Sequence, residues 1–95
     1  MLDSKKRSYL SKLANDMDPI FQVGKSSLTT ELISAIEQAI DKRELIKISV
    51  LKNCLDDPRE IGETIAERTR SEVVRVIGKK IILYKQNKKN PKITW

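Results

Sequence analysis

Residues 20–33 read Ile-Phe-Gln-Val-Gly-Lys-Ser-Ser-Leu-Thr-Thr-Glu-Leu-Ile, and they decide the fold. The first four residues predict a short strand, and an amphipathic helix begins after Thr29, its predicted N-cap. Between the strand and the helix lies the loop Gly24-Lys25-Ser26-Ser27. Backbone N–H groups at a helix start lack partners, and the helix dipole is positive there. Such a loop favours a phosphate group as its ligand.

The loop matches only the end of a nucleotide-binding P-loop. That motif requires a glycine five residues before Gly24, and Pro19 stands at that position. The chain also lacks the metal-binding carboxylate pattern that a nucleotide-dependent enzyme needs. Such an enzyme is therefore the minor alternative, and contact of the loop with a nucleic-acid backbone is the preferred interpretation.

The composition removes the usual catalytic and metal-binding side chains. The 95 residues contain no histidine, the most common general base and metal ligand. Cys54 is the only cysteine, so one chain forms neither a disulfide nor a thiolate cluster. No apolar segment approaches the roughly 18 residues of a membrane span, and the N-terminus does not read as a signal peptide. We expect a cytoplasmic, monomeric, non-enzymatic protein without metal, cofactor, small-molecule substrate or membrane contact.

The net charge of +6 is concentrated near the C-terminus. All 13 acidic residues precede Gly78, and 13 Lys and Arg residues balance them there. The remaining lysines follow without an acid among them: Lys79, Lys80, Lys85, Lys88, Lys89 and Lys92. Concentrated lysine favours a polyanionic partner, with an affinity that falls steeply with salt. A solubilising, disordered C-terminus is the alternative that charge alone leaves open.

Two further helices are predicted on either side of this stretch. The first covers residues 4–16 with Ser4 as its N-cap, and it ends before Pro19 because the residue preceding a proline avoids the helical conformation. The second covers residues 57–69 and begins with Asp57 as its N-cap, followed by a proline in the first turn.

Apolar runs predict three further strands, at residues 45–51, 73–77 and 81–85. The last two enclose Gly78-Lys79 and form a β-hairpin. The element order is αβαβαββ, which is typical of a two-layer α/β domain with a four-stranded mixed sheet. Each β-α-β passage is expected to join parallel strands. We predict one domain over residues 1–85 and a basic, flexible tail over residues 86–95.

Three segments carry a family resemblance: Pro-Ile-Phe-Gln-Val-Gly-Lys (19–25), Glu-Leu-Ile-Lys-Ile-Ser-Val-Leu-Lys-Asn (44–53) and Val-Ile-Gly-Lys-Lys-Ile-Ile-Leu-Tyr-Lys (76–85). They resemble the CRM domain, and in particular its stand-alone bacterial form, the YhbY-like RNA-binding proteins. The resemblance runs from about Leu2 to Lys85. It implies a fold similar to the C-terminal domain of translation initiation factor three and binding of structured RNA. In bacteria it further implies association with precursors of the large ribosomal subunit.

The chain departs from the family pattern at two positions. The family signature is a Gly-x-x-Gly loop, in which Gly24 and Lys25 match but Ser27 replaces the second glycine. Glycine there would allow a positive φ and close approach of the backbone to a phosphate, whereas serine restricts both but carries a hydroxyl donor. Arg70 ends the third helix where relatives tend to carry a capping glycine, and we expect it to affect stability and not binding.

The expected interface reads the RNA backbone and shape, because four aromatic residues are few for a base-stacking surface. The loop and the hairpin supply most candidates, and the resemblance, whose first helix is basic, adds two lysines. The candidates are Gly24, Lys25, Ser26, Ser27, Lys79, Lys80, Lys5 and Lys12. A solvated surface or plain turn residue is the alternative for each. Trp95 is a further candidate, for stacking on a base.

Two hypotheses of different classes follow. In the first, the chain is a non-enzymatic RNA-binding protein that contacts ribosomal RNA or its large-subunit precursor during assembly of the large ribosomal subunit. In the second, an apolar helix or sheet surface binds a protein partner, and the lysine tail only solubilises the domain. Added salt separates them, because it weakens RNA binding steeply and an apolar interface little.

Overall fold

Seven elements alternate along residues 2–93, which are the residues that the computed structural model describes. They are α1 (Ser4–Asn15), β1 (Phe21–Val23), α2 (Thr30–Arg43), β2 (Leu45–Val50), α3 (Pro58–Thr69), β3 (Glu72–Ile77) and β4 (Lys80–Tyr84). The predicted α/β class and the order αβαβαββ are confirmed.

The four strands form one mixed sheet in the order β1-β2-β4-β3. β1 runs parallel to β2, and β4 runs antiparallel to both of its neighbours. The loops that follow β1 and β2 therefore leave the same end of the sheet, and the β3–β4 turn joins them there. We call this the loop end, and we call the opposite end, where Leu45 pairs with Tyr84, the tail end. Along the six residues of β2 the two ends are about 17 Å apart.

The helices cover both faces of the sheet, so the structure has three layers where the sequence predicted two. α2 and α3 pack on the face that includes Ile46 and Ile48. α1 packs on the other face, where Leu10 and Ala14 meet Leu45. Alternate residues of a strand point to opposite faces, and the apolar run of β4 supplies both: Ile81 and Leu83 face α2 and α3, whereas Ile82 and Tyr84 lie in the cluster beneath α1.

The helix starts follow the predicted capping chemistry with one exception. Thr29 and Asp57 cap α2 and α3 as predicted, each accepting a hydrogen bond from a backbone N–H of the first turn. The N-cap of α1 is Asp3, not Ser4, because the Asp3 carboxylate accepts from the backbone N–H of Lys6 at 2.9 Å. A carboxylate is the stronger acceptor of the two adjacent candidates.

Arg7 fixes the start of α1 to the edge strand β3. Its guanidinium donates to the backbone oxygens of Val73 and Val74, the second at 3.1 Å. The register of β3 against β4 shifts between Val73 and Arg75, so this part of the edge is irregular. Arg7 therefore has a structural role, although its charge and position resemble those of a surface cation.

Glu44 connects the C-terminal segment to the domain. It follows α2 with a φ of 64°, and its side chain is 0% exposed. The carboxylate accepts hydrogen bonds from the backbone N–H groups of Asn87 at 3.0 Å, of Lys92, and of Ile93 at 3.0 Å. Several N–H donors around one carboxylate compensate for the loss of its hydration.

Asn87 shapes the segment that Glu44 holds. Its side-chain oxygen accepts from the backbone N–H groups of Lys89 and Asn90, and its amide donates to the backbone oxygen of Asp41. Ile93 packs against the cluster beneath α1. Residues 86–93 thus lie against the tail end without forming a helix or strand. The predicted flexibility of residues 86–95 stays a prediction, and Trp95 lies outside the described residues.

Candidate nucleic-acid interface

A tight turn presents the glycine-lysine loop at the loop end. The backbone N–H of Ser27 donates to the backbone oxygen of Gly24 at 2.9 Å and closes the turn. Lys25 and Ser26 occupy its two central positions, and both are exposed. The turn therefore directs one cation and one hydroxyl residue into solvent from a short, hydrogen-bonded frame.

Ser27 adopts the conformation that glycine would favour at this position. Its φ is 55°, within the left-handed region, which costs a non-glycine residue about 1–2 kcal/mol. Its hydroxyl donates to the carboxylate of Asp56, in the loop after β2. A hydrogen bond to a charged group contributes about 1.5–3 kcal/mol and can offset that cost. The hydroxyl that the sequence offered to a phosphate oxygen is thus held by a carboxylate in this structure.

Gly24 has room for a Cβ atom on the side where a side chain would begin. A Cβ atom there would lie 3.6 Å from the side-chain oxygen of Asn53 and 3.6 Å from Cδ1 of Leu51, which are ordinary contacts. Packing within the protein therefore does not require a glycine at position 24. Close approach of an RNA backbone to Gly24 stays a prediction.

The loop after β2, residues 51–57, lies beside the glycine-lysine turn. The backbone N–H of Leu51 donates to the backbone oxygen of Val23 at 2.9 Å, which ties the end of β2 to the end of β1. A cleft of about 600 Å³ separates the two loops. Its lining residues are Lys25, Ser27, Asn53, Leu55 and Asp56.

Sequence reasoning missed this second loop as part of the candidate interface. Lys52 is exposed there, and the Leu55 side chain is 97% exposed, the largest exposed fraction among the large hydrophobic residues described. The available signal was topological, because the carboxyl ends of adjacent parallel strands meet at one edge. Asp56 also lines this cleft, and its carboxylate places a negative charge next to Ser27.

The hairpin lysines share the loop end with Lys25. Lys79 and Lys80 are exposed, and the backbone oxygen of Lys79 accepts from Val50 at 2.7 Å. The ammonium of Lys80 donates to the hydroxyl of Ser49 at 3.1 Å, which holds its side chain along the sheet. The structure therefore brings Lys25, Lys79 and Lys80 to one end of the domain.

The two α1 candidates are placed differently. Lys5 is exposed in the first turn of α1, and this turn lies at the tail end, where the backbone N–H of Leu2 donates to Glu72 at 3.0 Å. Lys12 is exposed in the last turn of α1. Lys5 is therefore separated from the Gly24–Ser27 turn by the length of the sheet. A phosphate contact by any of the eight candidates stays a prediction.

Tyr84 marks the tail end electrostatically. Burial raises the pKa of its phenol above the ordinary value of 10.0, and the neighbouring carboxylates of Glu44 and Glu72 raise the pKa further.

Among residues 2–93, no cluster of three or more His, Cys, Asp or Glu side chains could hold a metal ion. No helix in the same range is long and apolar enough to span a bilayer.

Comparison with known proteins gives consistent matches along the whole chain. The CRS1 / YhbY (CRM) domain family matches residues 2–85. The probable RNA-binding protein YqeI of Bacillus subtilis is 42% identical over 93 residues, covering 98% of this chain and 97% of the relative. An RNA-binding protein of Haemophilus influenzae is 30% identical over 84 residues, covering 88% and 85%. The solution structure of the hypothetical protein SAV1595 from Staphylococcus aureus superposes with a TM-score of 0.84 at 46% identity, covering 99% of this chain and 98% of that one.

Proposed function

The chain belongs to the CRS1 / YhbY (CRM) domain family, and we propose that it is a non-enzymatic RNA-binding protein. Its proposed partner is structured ribosomal RNA, contacted during cytoplasmic assembly of the large ribosomal subunit. The names of the relatives support RNA as the class of ligand. Ribosomal RNA and the assembly step follow from the resemblance to stand-alone bacterial YhbY-like proteins.

One observation carries the proposal at the loop end. Ser27 stands where the family signature has its second loop glycine and adopts a left-handed φ of 55°, a conformation that is favourable for glycine. Lys25 extends from this turn at the same end of the sheet as Lys79 and Lys80. Lysines on a short, fixed frame suit the phosphate backbone, where they supply affinity without reading sequence.

The proposed contacts have separate roles. Lys25 pairs with a phosphate, and the exposed Ser26 together with Gly24, which carries no side chain, allows the RNA backbone to approach the turn. The Asp56 carboxylate repels phosphate from the Ser27 side, so the backbone passes on the side of Lys25. Lys79 and Lys80 extend the contact along the sheet, while Lys5, Lys12 and the basic C-terminal segment contact more distant phosphates.

Crosslinking of the tagged protein to cellular RNA, combined with affinity measurement for purified large-subunit RNA, tests the proposal. We expect enrichment of large-subunit precursor RNA and an affinity that falls steeply with salt. Lys25→Glu removes one attraction and adds one repulsion, and we expect at least a tenfold loss of affinity, about 1.4 kcal/mol. Arg75→Glu, an equal charge reversal at an exposed site in the middle of the edge strand β3, is the matched control and should bind within about twofold of the original affinity.

Two results contradict different parts of the proposal. Absence of large-subunit precursor RNA from the crosslinked material contradicts the ribosomal role. Equal RNA affinity of Lys25→Glu and the original protein contradicts the site at the loop end.

A protein-interaction module is the second candidate function. Tyr9 and Leu13 lie one turn apart on α1 and are 44% and 41% exposed, which gives α1 a small apolar strip. An interface centred on this strip would persist in high salt and weaken in Leu13→Ser. Persistence of partner binding in high salt, together with insensitivity to Lys25→Glu, would favour this candidate over RNA binding.

A further inference from the structure

A second basic surface surrounds a cavity at the tail end. The cavity has a volume of about 350 Å³. Four cationic side chains line it, and Glu72 contributes the one carboxylate among its lining residues. The cationic residues are Lys6, Arg70, Lys85 and Lys88. They come from three parts of the chain: the first turn of α1, the residue after α3, and the segment after β4.

We propose that this cavity is a second phosphate-binding site, which binds a phosphodiester of the same RNA that contacts the Gly24–Ser27 turn. This inference rests on the proposed RNA-binding function and adds a site to it. Arg70 and Lys88 bind the phosphate, and Glu44 is a positioning residue because it holds the segment that carries Lys88.

Arg70 supplies the first argument. It stands at the end of α3 with a φ of 58°, in the left-handed conformation that glycine adopts at little cost. An arginine at such a position is locally unfavourable, and unfavourable local choices in a stable fold tend to mark functional sites. The planar guanidinium matches the geometry of a phosphate. The expectation that Arg70 concerns stability alone is replaced here by a role in binding.

The start of α1 supplies the second argument. Lys5, Lys6 and Arg7 follow one another in its first turn, which contains no acidic residue. Cations are unfavourable beside the positive end of a helix dipole, and these three outnumber the one capping carboxylate of Asp3, so the sequence accumulates positive charge where helix stability opposes it. Arg7 is used by the β3 backbone, whereas Lys6 lines the cavity. A phosphate bound in the cavity would offset this repulsion.

Glu44 supplies the third argument. Its buried carboxylate holds the backbone N–H groups of Asn87, Lys92 and Ile93, and Lys88 lies inside this hydrogen-bonded segment. The ammonium of Lys85 is paired with Asp41 at 2.6 Å, and the phosphate is therefore assigned to Arg70 and Lys88, with Lys6 adding positive charge to the same lining. A buried carboxylate used in this way converts part of a lysine-rich segment into a fixed surface.

The cavity and the Gly24–Ser27 turn lie far enough apart to contact different phosphates of one RNA. It lies at the opposite end of the sheet from the Gly24–Ser27 turn, about 17 Å away along β2. One RNA backbone that reaches both ends would contact phosphates several nucleotides apart. Two separated contacts on a rigid domain fix the orientation of an RNA, which one loop cannot do.

Arg70→Gly is the decisive variant because the two roles of Arg70 predict different results. Relief of the left-handed conformation should raise the melting temperature by about 4 °C in either case. If Arg70 binds a phosphate, the Arg70→Gly protein should in addition bind large-subunit RNA about fivefold more weakly than the original protein. The slope of log affinity against log salt should become smaller in magnitude by about one. Arg68→Ala removes an exposed cation from the last turn of α3, outside the cavity lining. It should leave the RNA affinity and the slope of log affinity against log salt unchanged. An Arg70→Gly protein that binds with full affinity and an unchanged slope overturns the inference.

NMR titration with a short RNA hairpin separates failure of this inference from failure of the proposed function. We expect amide shifts of residues 70, 87–90 and 92 together with those of residues 24–27. In Glu44→Gln, the shifts at residues 87–90 and 92 should become smaller while those of the turn persist. Shifts confined to the turn would overturn the second site and leave RNA binding intact, and an absence of shifts at both ends would contradict RNA binding itself.

Discussion

The turn at the loop end and the C-terminal segment at the tail end are each held by hydrogen bonds, but across very different distances in the sequence. At the loop end, the Gly24–Ser27 turn is closed by a hydrogen bond between residues three positions apart. At the tail end, Glu44 accepts hydrogen bonds from residues 43 to 49 positions away. A local motif is visible in a sequence, whereas a long-range clasp around one glutamate is not. The loop end, whose motif can be recognised in the sequence, is therefore only one part of the basic surface of this domain.

Removal of the Glu44 carboxylate should have the largest effect on stability. Glu44→Ala loses three hydrogen bonds to a charged acceptor, partly offset by the conformational freedom that the released segment gains, and should lower the free energy of unfolding by about 2–3 kcal/mol. Urea denaturation measures this change. Glu37→Ala, an exposed glutamate of the same helix, should cost less than about 0.5 kcal/mol. Equal destabilisation by the two variants would remove the distinction between the ends.

A smaller effect is expected when the Ser27 hydroxyl is removed at the loop end. Ser27→Ala keeps the unfavourable φ and loses the bond to Asp56, so it should lower the free energy of unfolding by about 1 kcal/mol. Ser27→Gly loses the same bond but adopts the φ freely, and its stability should stay within about 0.5 kcal/mol of the original. A thermodynamic cycle with Asp56→Ala measures the coupling directly. Additive effects in that cycle would show that the bond contributes no stability.

The smallest effect concerns alkaline pH at the tail end. The pKa of Tyr84 is raised in the folded state by burial and by Glu44 and Glu72. The phenol therefore contributes stability that is fully present below its unfolded pKa of about 10 and is lost as pH rises through the folded pKa. Urea midpoints measured at increasing pH should fall more steeply for the original protein than for Tyr84→Phe. Equal pH dependence of the urea midpoints of the two proteins would contradict the raised pKa of Tyr84. Glu44→Gln removes one of the two carboxylates and should bring the Tyr84 pKa partly back towards its ordinary value.

The elements of this fold could be predicted because each one has a local signal. The caps Thr29 and Asp57 and the strand-turn-helix order of residues 20–33 need no long-range information. The N-cap of α1 could not be assigned from the sequence pattern, because Asp3 and Ser4 are adjacent and both residue types are favoured at N-caps. The third layer follows from burial of β4 on both faces, where Ile81 and Leu83 alternate with Ile82 and Tyr84. The apolar run at residues 81–85 indicated this burial, but the two-layer prediction did not use it.

The candidate site could be predicted only in part, for the same reason. Lys25 belongs to a motif, and the hairpin lysines follow from the charge distribution. Residues 51–57 became relevant only when the parallel pairing of β1 and β2 placed them beside the turn. Arg70 and Lys88 are 18 positions apart in the sequence, and only the Glu44 clasp and the end of the sheet bring them to one cavity.

Arg7 has a consequence for how separate copies of the domain meet. β3 is an edge strand, and the exposed backbone groups of such an edge can pair with a strand from another molecule. The guanidinium of Arg7 occupies the oxygens of Val73 and Val74 beside a register shift, so this stretch offers neither free acceptors nor a regular ladder. This half-buried contact of α1 thereby protects the edge against pairing with another copy of the domain at high protein concentration.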